Sequence, residues 1–246
     1  PIPRENKTPL TPTQLAAERL QRRYGKQIDA EDGTFAKLTG TIVRQVGDLR
    51  RMVDEFSSFA RMPKPIFREE SLLDIARQTM FLHEVAKPEI RFTMTHPDPV
   101  PPLVCDRRQL GQAQTNLVKN ATEADEARED GTPGEVAMTI RTGEPEQLLI
   151  EVDDNGIGLP AERERIVEPY MTTRSRGTGL GLAIVKKIVE EHFGTMTFAD
   201  RPGGGTRVTL CFDTATLERM AGTGGEDSGD EPGGALPAGL TRTKNG

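Results

Sequence analysis

Apolar side chains recur seven residues apart at Phe35, Ile42, Leu49 and Phe56, with Leu38, Val46, Met52, Val53 and Phe59 on an adjoining stripe. That period predicts a helix seeking other helices. Upstream, LTPTQLAAERLQRRYGKQI holds few strand formers and no glycine before Gly25, so it reads as one helix from about Pro9 to Ile28, with Pro12 near its first turn. The polar DAEDG breaks the chain between them. Two helices joined by a short turn make an antiparallel hairpin, which alone leaves its apolar stripes wet, so a homodimer closing a four-helix bundle is expected. Pro63 and Pro65 in RMPKP then forbid continuation of the second helix and give a semi-rigid hinge.

Beyond the hinge the pattern changes. SLLDIARQTMFL, DRRQLGQAQTNLVKNATEADEA and GLGLAIVKKIVEEHF read as helices, whereas IRFTMTH, EVAMTIRT, QLLIEVDD and TRVTLCF read as strands. The fold class is therefore α+β, with a hairpin over 1–62, a hinge over 63–66 and a mixed domain over 67–213. From Thr214 to 246 large apolar residues are few and Gly, Pro, Asp and Glu many. Such a composition does not offset its ordering entropy, so a disordered tail is expected.

Composition narrows the function classes. The 246 residues are 35% hydrophobic and 28% charged, an ordinary soluble mixture. A net charge of −6 argues against a nucleic-acid partner held by clustered Lys and Arg, and RLQRRYGKQ reads as a solvated helix face. No apolar run reaches the length of about 20 residues that a membrane span needs, so no membrane contact is expected from this segment. The two cysteines, Cys105 and Cys211, have no metal-site or disulfide-framework spacing, consistent with a reducing cytoplasm.

Four motifs carry candidate chemistry. In TNLVKNATEA, Asn116 and Asn120 are four apart and share a helix face. A carboxamide oxygen suits a hard cation that keeps several waters, so Asn120 is a candidate Mg²⁺ ligand with Lys119 adding charge; a plain polar helix surface is the alternative. In VDDNGIGLP an apolar strand ends at Asp154, which can accept from an exocyclic amine of adenine, while Gly156 and Gly158 let backbone approach a ligand. An Asp-Asn-Gly hairpin turn explains the same residues. In RGTGLGLAIVKKIVEEHF the glycines at 177, 179 and 181 open a helix whose free N–H groups favour an anion. In RPGGGTRVTL, Thr206 follows a tight turn at Gly203 to Gly205. Between the second and third motifs, VEPYMTTRSR offers Thr172, Thr173, Arg174 and Arg176 as a lid whose cations meet phosphate oxygens.

Taken in order, N-L-x-x-N-A, D-x-G-x-G, E-P-Y-M-T-T, G-T-G-L-G-L and G-G-G-T resemble the N, G1, F, G2 and G3 boxes of sensor histidine kinases, over residues 66 to 213. The resemblance implies a GHKL (Bergerat-type) α/β sandwich that binds ATP or ADP with Mg²⁺. Adenine would sit on Asp154 and Mg²⁺ on Asn120. The remaining contacts would come from Asn116, Lys119, Gly156, Gly158, Tyr170, Thr172, Thr173, Arg174, Arg176, Gly177, Thr178, Gly179, Leu180, Gly181 and Thr206. The first helix resembles the phosphoacceptor helix of nitrogen-regulation sensor kinases of the NtrY type, whose acceptor motif H-E-x-x-N/T precedes Pro-Leu. Here Pro9-Leu10 follows Glu5 and Thr8, and Arg4 occupies the histidine position.

The family implies a two-component protein histidine kinase that passes a phosphoryl group to a histidine and then to the receiver domain of a response regulator. It also implies the cytoplasmic portion of an inner-membrane sensor. With Arg4 at the acceptor position, autophosphorylation is expected to fail. A nucleotide-binding phosphatase or scaffold is the alternative. A GHKL ATPase would carry glutamate where Asn116 stands. The three histidines, His83, His96 and His192, all fall in the second domain, where loop or helix-surface roles are expected.

Overall fold

A computed structural model describes residues 10–28, 33–128, 130–143, 145–160, 162–168 and 179–223. Helices α1 (Leu10–Ile28) and α2 (Thr34–Ala60) pack on each other as the hairpin that the heptad pattern predicts. Their contact centres on small side chains: Ala17 is buried, and Thr39 is buried with its hydroxyl returned to Phe35 O at 2.7 Å. The larger apolar residues Leu15, Leu20, Leu38, Ile42 and Leu49 remain exposed on this chain. Gly33 enters α2 with φ 66°, a left-handed conformation that glycine adopts without strain.

Next come β1 (Arg68–Glu70), α3 (Leu72–Ala86), β2 (Ile90–Thr95), β3 (Leu103–Cys105), α4 (Arg107–Glu126), β4 (Gly134–Gly143) and β5 (Gln147–Asp154). A short 3-10 helix (Arg163–Val167), α5 (Gly181–Glu191), β6 (Thr195–Asp200), β7 (Thr206–Asp213) and α6 (Thr214–Thr223) complete the order. Five strands form a mixed sheet in the order β2-β4-β5-β7-β6, parallel between β2 and β4 and antiparallel elsewhere; β1 and β3 form a separate antiparallel pair.

Period-2 alternation buries one face of this sheet. Val136, Met138 and Ile140 on β4 share the core with Leu148, Ile150 and Val152 on β5 and with Val208, Leu210 and Phe212 on β7. The cross-strand register stacks them, with Met138 opposite Val152, and Ile150 between Ile140 and Leu210. Helices bring 3.6-period stripes to that core: Leu72, Ile75 and Ala76 from α3; Leu110, Ala113, Leu117 and Ala121 from α4; Ile184, Ile188 and Val189 from α5. A helical layer on a mixed sheet is the α/β sandwich expected. Both cysteines are free, and burial pushes the Cys105 thiol up to about 12, which leaves it inert near neutral pH.

Three features depart from the sequence reading. Strands β1, β3 and β6 are not among the predicted strands, although Met196 and Phe198 of β6 pack on the core from this sheet edge. The expected disorder does not begin at Thr214, because α6 continues through Thr223. Asp213 caps this helix by accepting from Thr216 N at 2.9 Å, and Leu217 is fully buried. The hinge, finally, is fastened. Gln109 Nε2 donates to Pro63 O at 2.8 Å, and Ile66 N donates to Asp106 Oδ2 at 3.0 Å.

His192 accounts for part of that fastening, and its placement corrects the surface role expected for it. It has no solvent exposure, accepts from Asp106 N at 3.0 Å through Nε2, and lies within 2.8 Å of Ile188 O through Nδ1. Phe67 from the hinge end meets its ring edge-on at 5.3 Å. Burial holds the imidazole below its usual pKa, so it is neutral here, with Nδ1 donating and Nε2 accepting. Asp106 is pushed up by burial, but backbone donors from Ile66, Gln109 and Arg108 and the Arg108 guanidinium outweigh that and hold its carboxyl below the usual range.

Candidate functional site

The strand phase that buries Leu148, Ile150 and Val152 carries on to Asp154, so this last residue of β5 points to the helical layer rather than to solvent, and it is buried. Its Oδ1 accepts from Gly156 N at 2.9 Å and from Thr206 N at 3.2 Å. Two backbone donors on one oxygen fix the carboxylate's orientation. The glycines around it are steric requirements. A Cβ on Gly156 would lie 2.5 Å from the Ala124 carbonyl carbon, and one on Gly205, where φ is +98°, would lie 2.0 Å from Asp154 O. The Gly203 to Gly205 turn closes the β6–β7 hairpin and is at the same time part of the Asp154 wall. Gly158, at φ +79°, lies beside it with open space where a side chain would stand, apart from Gly205 O at 3.7 Å.

On α4, Asn116, Asn120 and Ala124 succeed one another at four-residue steps and therefore line one face. Asn116 Nδ2 donates to Gly181 O at 3.4 Å. A Cβ on Gly181 would stand 3.8 Å from Asn120 Oδ1, so both carboxamides flank the start of α5. That start follows Gly179, at φ +69°, and the buried Leu180, and no side chain among the described residues caps it. An uncapped helix opening beside carboxamides is suited to an anion. Farther along the same α4 face, Ala124 O accepts from Ile157 N at 3.2 Å, and its small side chain admits Gly156.

The structure thus brings together Asn116, Asn120, Gly179, Leu180 and Gly181 at one end, and Asp154, Gly156, Gly158 and Thr206 at the other. Lys119 stands apart from these contacts. Its ammonium is 3.8 Å from Glu123, and its charge adds to burial in lowering the His83 pKa on the α3 side. Arg4, Glu5, Thr8, Tyr170, Thr172, Thr173, Arg174, Arg176, Gly177 and Thr178 lie outside the described residues.

Sequence reasoning passes over Ala124, Asn155 and Arg128. Asn155 bridges two strands' ends: its Oδ1 accepts from Glu135 N at 2.8 Å and its Nδ2 donates to Pro133 O at 3.0 Å. The N-G dipeptide signals a turn, and nothing local announces the distant partners. Ion pairs brace the far side of the wall, with Arg207 bidentate on Asp153 at 2.6 and 2.7 Å and Arg201 on Glu135 at 2.9 Å. Among the described residues no cluster of three or more His, Cys, Asp or Glu could hold a metal, and no helix is long and apolar enough to cross a membrane.

A mixed sheet beneath three helices, with an oriented carboxylate by the C-terminal end of α4 and carboxamides from farther back along α4 beside the start of α5, defines an ATP-binding domain of the GHKL type. Residues 105–216 match the family described as histidine kinase-, DNA gyrase B-, and HSP90-like ATPase. The chain is 51% identical over 207 residues to nitrogen regulation protein NtrY of Azorhizobium caulinodans, an alignment covering 82% of this chain and 26% of that protein. Among solved structures it is similar to the catalytic domain of the histidine kinase ThkA, nucleotide free, at TM-score 0.54 and 29% identity over 61% of this chain and 96% of that one. The fold also matches full-length ShkA in complex with AMPPNP at TM-score 0.64 and 21% identity, covering 85% of this chain and 44% of that one. The chain belongs to the NtrY-like sensor histidine kinases and carries their catalytic ATP-binding region. It spans about a quarter of the length of the Azorhizobium relative.

Proposed function

We propose that this chain binds Mg²⁺-ATP or ADP through the residues above and serves as the kinase end of a two-component sensor. The observation that carries the reading is the Asp154 carboxylate, held by two backbone N–H groups at a wall where Gly156 and Gly205 admit no side chain. A carboxylate aimed there accepts from adenine's exocyclic amine, whereas guanine presents a carbonyl oxygen at that position and is repelled. Phosphates meet the N–H groups at the start of α5. Mg²⁺ binds with one or two protein ligands plus phosphates and waters, so a single carboxamide from Asn120 fits, with Asn116 beside it. When bound, the ion neutralises phosphate charge; Asn116, Asn120 and the α5 amides orient the triphosphate, and catalysis is positioning.

The test is calorimetric. Asp154→Ala removes a charged hydrogen-bond acceptor and should weaken ADP binding about 10- to 100-fold. Equal affinity in parent and variant would overturn the site.

The hairpin's exposed Leu38, Ile42 and Leu49 support a homodimer closed by a four-helix bundle, and the family supports a response-regulator receiver domain as partner, with the chain on the cytoplasmic side of a membrane-anchored sensor. Arg4 at the acceptor position implies a kinase that does not label its own first helix, because a guanidinium stays protonated and offers no nitrogen lone pair. That substitution favours a second reading, a nucleotide-binding phosphatase or scaffold in which Glu5 and Thr8 act on a partner's phosphoaspartate. Arg4→His is expected to gain acid-labile, base-stable phosphate from ATP while the present sequence gains none. Label on His83, His96 or His192 would show the acceptor helix to be misassigned.

A further inference from the structure

We propose that Arg128 is a positioning residue for purine recognition: its guanidinium fixes the Asp154 to Ile157 turn against the end of α4. The proposal rests on the reading of Asp154 as the purine acceptor.

Arg128 lies just past α4, and its side chain is only 14% exposed although it carries a full charge. Its donors reach the end of α4, the connection that follows it and the distant turn after β5. Nη2 meets Asp125 Oδ1 at 2.9 Å in the last turn of α4. The same nitrogen donates to Thr132 O at 2.6 Å, and Nε pairs with Asp130 at 3.0 Å, both in the connection from α4 to β4. Nη1 donates to Asn155 O, the carbonyl immediately after Asp154. One planar fork therefore joins the helix bearing Asn116 and Asn120 to the turn bearing Asp154.

The surrounding contacts make that junction tight, and Arg128 adds a side-chain tie to it. Gly156 abuts Ala124 so closely that no Cβ fits, and Ile157 N donates to Ala124 O, so a small shift of the turn is felt across the whole contact. Asn155 ties the turn to β4 through Glu135 N and Pro133 O. Arg128 supplies the side-chain tie from Asn155 to the end of the helix. A tie of that kind sets the distance and angle between the carboxylate at one end of the ligand and the carboxamides at the other. Misplacement by a fraction of an ångström weakens a directional hydrogen bond while leaving phosphate electrostatics nearly unchanged. Lysine cannot substitute, since its point charge can satisfy Asp125 or Asp130 but does not reach in-plane to Asn155 O at the same time.

The experiment titrates the full chain with ADP and with GDP, each with Mg²⁺, for the parent, Asp154→Ala, Arg128→Met and Arg128→Lys, below each variant's unfolding midpoint. Arg128→Lys should lose about tenfold in ADP affinity and under about twofold in GDP affinity, so the adenine-to-guanine preference collapses. Arg128→Met should lose at least as much; if it does not fold, the lysine variant carries the result. A merely structural role would lower both nucleotides by one factor. Equal factors, or an unchanged preference in the folded lysine variant, overturn the role of Arg128 while Asp154→Ala still loses ADP. Full ADP affinity in Asp154→Ala overturns both the purine reading and the proposal.

Discussion

Gln114 is fully buried in α4, and neither its amide nitrogen nor its amide oxygen has a hydrogen-bond partner among the described residues. An unpaired buried amide costs about 1–3 kcal/mol, whereas an apolar side chain of similar volume gains from the same site. Gln114→Leu should therefore raise stability by about 1–2 kcal/mol, readable as a higher urea midpoint at unchanged slope. A lower midpoint would show that the amide does useful work in the folded protein. His192 makes a second prediction at this scale. Its folded pKa lies below its unfolded value near 6.5, so on acidification the unfolded chain takes up a proton first. Its contribution is complete above about 6.5 and is lost as pH falls from there through the folded pKa. The charged groups facing the ring, Asp106 and Glu191, work against the depression without reversing it. His83, lowered by burial and Lys119, acts in the same sense, so thermal midpoints at pH 7.5 and 5.5 are compared between the parent and His192→Gln. The acid-induced drop should shrink in the variant.

Among the elements, legibility followed the strength of the period. Helices α4 and α5 and strands β4, β5 and β7 carry clear apolar alternation or stripes, and their phase alone turns Asp154 inward and puts Asn116 and Asn120 on one face. The three-residue strands β1 and β3 are too short to show a period, and α6 hangs on one buried leucine beside a low-complexity stretch, so its local composition resembled the tail. Arg128, Asn155 and His192 were opaque for another reason: each gains its meaning from partners far along the chain. At the glycines the sequence suggested close approach of a ligand, while at Gly156 and Gly205 the structure shows close approach of the protein's own backbone. Gly156→Ala should destabilise by about 1–3 kcal/mol, because the obstructing atom is Ala124 backbone and no rotamer can relieve it. Chemical denaturation that leaves the midpoint unmoved would mean that the two elements separate freely.

For the whole molecule, the hinge at Pro63 and the hairpin's end are held by helices α4 and α5. Gln109 of α4 holds Pro63 O, and Lys187 of α5 donates to Phe59 O at 3.2 Å while standing 5.1 Å from the Phe59 ring centre. The exposed stripe of the hairpin predicts a dimeric mass at micromolar concentration, and Ile42→Asp together with Leu49→Asp should give the monomer in sedimentation analysis while ADP affinity is retained. The four-residue steps from Asn116 to Ala124 have a further consequence. Eight residues of helix rise about 12 Å, so on the proposed reading α4 acts as a ruler between a purine-reading end and a phosphate-reading end. A nucleotide laid along it behaves as a bivalent ligand, and adenosine or pyrophosphate alone grips one end only. Joining the halves turns the second contact into an intramolecular event, so the free energy of binding for ADP should exceed the sum for the separate fragments.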